Sequence, residues 1–230
     1  MLNFKKIWNY FTGLEKILWA SSVLLIVLSY LIFDRSAPLT LIASLLGITS
    51  LIFCAKGNPI GQLLMVVFSL LYGIISFSFA YYGEMITYLG MSMPMAVFAL
   101  VSWLTHPYKG NKAQVKVGKI RPWEWGLLAI LTVAVTVVFY FILKVFGTEN
   151  LLVSTFSVST SFIAVYLTFR RSPYFALAYS SNDLVLIALW TYASLSDPGY
   201  ISVVVCFLAF LANDTYGFIN WKRMQRSQGG

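Results

Sequence analysis

Charge is scarce in this chain: of 230 residues only 10% are Asp, Glu, Lys or Arg, against roughly 25% in an ordinary soluble domain. Such a sequence cannot cover a water-facing surface, and with 59% hydrophobic residues its outside is suited to lipid. Histidine is nearly absent, with His106 alone, and Cys54 and Cys206 lie in separate apolar runs. Without a CxxC, an HExxH or a Cys/His cluster, no metal site is expected, and the two thiols are read as buried rather than paired. No GxxxxGK[ST] is present to cradle ATP phosphates, which argues against an ATP-driven pump. One loop histidine cannot complete a Ser-His-Asp set, so no catalytic residue, cofactor or enzyme activity is assigned.

What is there is a series of long apolar runs. At about 20 residues per membrane crossing, the pattern predicts eight helices: Ile17–Phe33, Leu39–Ala55, Ile60–Tyr81, Tyr88–Thr105, Gly126–Phe146, Leu151–Phe169, Tyr174–Leu195 and Tyr200–Trp221. Tyr82-Gly83-Glu84 reads as a loop, and His106–Arg121 is the longest polar segment, with no acid in it. The first run is too long for a signal peptide and has no small-x-small cleavage site after it, so it is read as a retained helix.

The net charge of +8 comes from uneven placement. With the N-terminus inside, fourteen of the sixteen cations face the cytoplasm, and only Arg35 and Lys144 do not. The outer loops hold Asp34, Glu84, Glu149 and Asp197. This positive-inside pattern puts both termini in the cytoplasm and the chain in the cell membrane. The basic surface then meets anionic lipid heads, and nucleic acid is not an expected partner.

Two spans near the C-terminus carry Asn-Asp pairs inside their apolar length, Asn182-Asp183 and Asn213-Asp214. A carboxylate in hydrocarbon costs at least a few kcal/mol on insertion scales, and it normally faces a bundle interior or a watery cavity. At about 1.5 Å per residue, Asp183 falls near mid-bilayer and Asp214 about one turn toward the cytoplasm. Tyr179, Asp183 and Trp190 share one face of their helix, while Asn213, Tyr216 and Asn220 share a face separate from that of Asp214 and Trp221. Gln62, Ser69 and Tyr72 align on the third helix. Asparagine both donates and accepts hydrogen bonds, and tryptophan and tyrosine stack on flat rings. The candidate substrate-binding set is therefore Asn182, Asp183, Trp190, Asn213, Asp214, Tyr216, Tyr72, Gln62, Ser69 and Tyr179. No Lys or Arg lies well inside a span to pair the two acids, so they are expected to be protonated, capped by hydroxyls and amides, paired with a bound cation, or wetted by a cavity. Polar side chains acting only as interhelical glue are the plainer alternative.

Shifting the chain by 114 residues overlays Lys56-Gly57-Asn58-Pro59 on Arg170-Arg171-Ser172-Pro173 and Ser69 on Asp183. The expected organisation is an N-terminal interface segment and extra helix (1–37), a first triple-helix repeat (38–108), a basic loop and linker helix (109–149), a second triple-helix repeat (150–224) and a basic tail (225–230). Parallel repeats of this kind place a transport site between the halves near the midplane. The fold class is thus an all-α integral membrane protein with a 1 + (3+1+3) helix plan. The sequence leaves a homo-oligomer open.

The LYGII run at Leu71–Ile75, Asn182 in the seventh span and the FLANDTYGFINW run around Asn213 and Trp221 resemble the PnuC family of vitamin transporters. The resemblance covers roughly 39–224 and implies a SWEET-like fold with passive, facilitated uptake of nicotinamide riboside, trapped afterwards by a cytoplasmic kinase. The chain departs from the family's WxxW, which would fall on Phe175 and Ala178, and from first-repeat asparagines at Phe68 and Ala99. Within the resemblance, a thiamine or deoxynucleoside carrier is the alternative cargo, and an ion-coupled carrier using Asp183 the alternative mechanism.

Overall fold

The computed structural model describes residues 9–35, 38–78, 82–148 and 150–229. Lys5, Lys6, Trp8 and Glu149 lie outside these residues. The described elements are α1 (Gly13–Phe33), α2 (Pro38–Ala55), α3 (Pro59–Ser78), α4 (Tyr82–Thr105), α5 (Pro122–Val145), α6 (Leu151–Phe169), α7 (Tyr174–Ser194) and α8 (Ile201–Gly229). A two-stranded antiparallel ribbon, β1 (Pro107–Tyr108) and β2 (Asn111–Val115), sits between α4 and α5 and is the exception to an all-helical fold.

Seven of these helices are long and apolar enough to cross a membrane. Of comparable length is α7, with 21 residues, but Ser180, Ser181, Asn182 and Asp183 dilute its apolar character. It survives among lipid-compatible helices because α6 and α8 pack along it and bury Ser180, Asn182 and Asp183, while exposed Ser181 donates its hydroxyl to Leu177 O. The outward residues of the bundle are large and apolar, as along α5 at Ile130, Val133, Val137 and Phe141, all exposed. That is the surface expected where the solvent is hydrocarbon.

Several boundaries differ from the sequence expectation. The first helix starts at Gly13 rather than Ile17 because Thr12 and Glu15 form a capping box. Thr12 Oγ1 accepts from Glu15 N at 3.3 Å and Glu15 Oε2 accepts from Thr12 N at 2.7 Å. Tyr82-Gly83-Glu84 is helical rather than a loop, and opens α4. Within α4, Thr87–Ser92 winds as a π-helix just before Pro94. Proline lacks the N–H that would bond the carbonyl one turn back, and its ring crowds that carbonyl, so the wider winding is a local accommodation. The segment 225–230, expected as a tail, instead continues α8 as far as Gly229. Gln228 secures it by accepting from Val117 N at 2.7 Å and donating to Val115 O at 3.2 Å.

The turns joining α2 to α3 and α6 to α7 are built alike. Gly57 has φ +67° and Arg171, 114 residues later, has φ +55°. Asn58 N donates to Phe53 O and Ser172 N donates to Leu167 O, each at 3.0 Å. The segment between α4 and α5 docks on both turns, with Val115 N donating to Gly57 O and Gly118 N to Arg171 O, each at 2.9 Å. One end of the bundle therefore carries both basic turns, the ribbon and the end of α8. It is called the basic end below, and the opposite end, with Asp34 and Asp197, the acidic end.

Candidate functional site

Between the helices lies a chamber of about 380 Å³, within the usual range for small-molecule sites. On α8 its lining runs from Tyr200 and Val203 near the acidic end to Asp214, the innermost lining residue of that helix. Asp34, Thr148, Asp197 and Gly199 line its mouth. The π-wound part of α4 contributes Thr87, Tyr88 and Ser92, so the irregular winding faces the cavity rather than the lipid.

Seven of the ten sequence candidates line this chamber. Tyr179, Asn182, Asp183 and Trp190 come from α7, Ser69 and Tyr72 from α3, and Asp214 from α8. Asn182 is held by the hydroxyls of α6: Ser157, Thr160 and Ser161 lie 3.3, 2.8 and 3.1 Å from its Oδ1. These contacts occupy the oxygen end of the amide, so the nitrogen end is available to donate to a solute. The aromatic walls are formed by Phe68 against Tyr72 (ring centroids 4.8 Å apart), Tyr72 against Tyr88 (5.0 Å) and Trp190 against Tyr200 (5.1 Å). Asp183 and Asp214 meet side chain to side chain.

The other three candidates point elsewhere. Asn213 Nδ2 donates to Ser22 Oγ of α1 at 3.0 Å and to Ala209 O at 2.8 Å. Tyr216 donates from its hydroxyl to Glu15 Oε1 at 2.8 Å. Gln62 lies next to Cys54, its Nε2 at 3.2 Å from the sulfur. Asn213 and Tyr216 thus join α8 to α1, and neither lines the chamber. Sequence reasoning missed Phe68, Tyr88, Glu84, Ser157 and Ser161 as lining residues. Ser154, Ser157 and Ser161, at steps of three and four, were the visible signal for α6. Glu84 was assigned to a loop, and nothing in its neighbourhood pointed inward.

Toward the basic end, past lining residue Tyr179, which packs edge-on against Phe175, lies a buried aromatic cluster. Trp103 of α4, Trp221 of α8 and Phe175 of α7 are all fully buried, and the two indoles are 5.2 Å apart. Each indole bonds the last turn of a helix far away in the chain: Trp103 Nε1 donates to Thr168 O at 2.9 Å and Trp221 Nε1 to Cys54 O at 2.8 Å. The preceding residues do the same, Ser102 Oγ donating to Phe169 O and Asn220 Nδ2 to Ala55 O, both at 2.8 Å. The acceptors are 114 residues apart and the donors 118, about one helical turn more than the shift read from sequence.

Comparison with known proteins gives a consistent result. Residues 37–223 match the family model described as nicotinamide mononucleotide transporter. The nicotinamide riboside transporter PnuC of Neisseria mucosa is 25% identical over 228 residues, covering 97% of this chain and 85% of its own. The crystal structure of the vitamin B3 transporter PnuC superposes with a TM-score of 0.80 at 23% identity, over 95% of this chain and 94% of that one. At that identity the likeness shows the fold alone.

Proposed function

The chain belongs to the nicotinamide mononucleotide transporter family, that of PnuC, and from this premise we propose that it takes up nicotinamide riboside by facilitated diffusion with alternating access. It is a multi-pass protein of the cell membrane, and the relatives it matches are transporters rather than enzymes. The observation that carries the proposal is the chamber, open at the acidic end and sealed at the other by cross-bonded indoles. A solute-sized cavity closed at one end is one half of an alternating-access cycle.

Eight spans in a 1 + (3+1+3) plan fit the paired turns and the reciprocal indole bonds, with α2–α4 and α6–α8 as parallel repeats and α5 as linker. The basic end then faces the cytoplasm together with both termini, by the positive-inside rule. Substrate would enter from outside, settle among Asn182, Asp183, Trp190, Tyr72 and Asp214, and leave inward once the indole seal parts.

The test is uptake of radiolabelled nicotinamide riboside by liposomes containing only the purified protein, without ATP or any ion gradient. Saturable entry that stops when inside and outside concentrations are equal is the expected result. Uptake no faster than in protein-free liposomes refutes the proposal. Accumulation only under an imposed proton or sodium gradient, lost in Asp183→Asn, replaces facilitated diffusion with ion coupling.

A further inference from the structure

The eight acidic residues are divided in an informative way. Outside the chamber, each described carboxylate has its own cation: Glu15 lies 3.0 Å from Lys56, and Glu124 lies 2.7 Å from Arg170. Five acids line the chamber, Asp34, Glu84, Asp183, Asp197 and Asp214, and among the described residues no lysine, arginine or histidine lines it with them. Asp183 and Asp214 are the deep pair, only 3% and 4% exposed. Asp183 Oδ2 is buried without a hydrogen-bond partner, as is the Oγ of Ser69, also a lining residue. A buried polar atom with no partner is costly, and in a native site it points to something that binds there.

Resting on the proposed transport of nicotinamide riboside, we infer that the Asp183–Asp214 pair reads the positive charge of the substrate ring and makes this a cation-selective site. A cation arriving beside the pair supplies the counter-charge that the protein omits. An uncharged ligand of the same outline leaves the pair as it was and gains nothing there, which is how a buried polar site discriminates. The walls favour the same class of solute. Tyr72, Tyr88 and Trp190 line it with aromatic rings, whose faces attract organic cations. A flat heteroaromatic cation satisfies both walls and acids, whereas a bare inorganic ion leaves most of the roughly 380 Å³ unfilled.

Two pairs of ligands separate charge from shape: nicotinamide riboside against its uncharged 1,4-dihydro form, and thiamine against uncharged 3-deazathiamine. Affinities are measured by titration calorimetry on the full-length protein in detergent. In the native protein the cation of the transported pair is expected to bind about tenfold or more tightly than its neutral counterpart. Asp183→Asn and Asp214→Asn should each remove most of that preference, chiefly by weakening the cation. Equal affinity for charged and uncharged forms in the native protein overturns the inference without any variant, and so does an equal loss for both forms in the two variants. If the preference holds for thiamine while neither form of nicotinamide riboside binds, charge selection stands and the proposed cargo falls. If nicotinamide riboside is taken up by liposomes but neither pair favours the cation, the cargo stands and the acid pair loses its role.

Discussion

The sharpest consequence of the structure concerns the seal at the basic end. Trp221→Phe keeps a ring beside Trp103 and Phe175, at 5.2 and 4.9 Å between centroids, and deletes only the indole N–H that donates to Cys54 O. That carbonyl also accepts from Gly57 N at 2.9 Å, so it keeps a partner and the full cost of an orphaned buried acceptor does not arise. The same holds for Thr168 O, which keeps Arg171 N at 2.9 Å when Trp103 is changed to Phe. The loss per variant is then that of an ordinary hydrogen bond, about 0.5–1.5 kcal/mol. If the bond exists only while this end is closed, the closed-to-open ratio falls by about 2- to 12-fold per variant, and by the product in the double variant.

A reporter cysteine at Ser161, which lines the chamber, can be introduced after replacing Cys54 and Cys206 by Ala. Labelling by a membrane-impermeant maleimide is then compared in inside-out and right-side-out vesicles. Trp103→Phe and Trp221→Phe should raise labelling from the cytoplasmic side to a similar degree, because the two bonds are counterparts. Unchanged labelling in both variants, with a lowered melting temperature, would mean that the bonds hold the bundle together without gating it.

Other consequences are simpler to measure. Asn182→Ala removes the acceptor shared by three α6 hydroxyls and the one amide facing the chamber from α7, and should weaken ligand binding about tenfold or more by calorimetry. Glu15→Gln breaks a pair in which Glu15 is 2% exposed but Lys56 keeps 17%, so about 2 kcal/mol is expected rather than the cost of a wholly buried pair. Its check is the melting temperature in detergent, with partial recovery in the double variant carrying Lys56→Met. At Gly61 an added Cβ would sit 2.6 Å from Cys54 N and 2.9 Å from Ser50 O, so Gly61→Ala must push α2 from α3 and should cost about 1–3 kcal/mol in the same assay.

Helix placement was largely legible because hydropathy and the helical repeat are local properties. The errors fell where a short-range device acted: the Thr12–Glu15 box lengthened α1, and Pro94 shaped the winding of α4. The candidate site was legible in part. Spacing separated Asn213 and Tyr216, which serve α1, from Asp214, which lines the chamber, but it also put Asn220 and Trp221 on different faces, and both bond the last turn of α2. It could not tell which face looked into the cavity, since α1 covers one of them and α1 is roughly 200 residues away in the chain.

From the amino-acid order alone came the lipid environment, the rough extent of the apolar helices, and the presence of acids without cations in their length. These follow from transfer energies and a fixed rise per residue, neither of which needs a neighbour. Packing alone decided that Asp183 meets Asp214, that Asn213 and Tyr216 serve α1, and that Trp103 bonds α6 while Trp221 bonds α2. Contacts of this kind depend on which helix surfaces fit together over long separations in sequence, and a side chain's type and spacing carry no record of that fit.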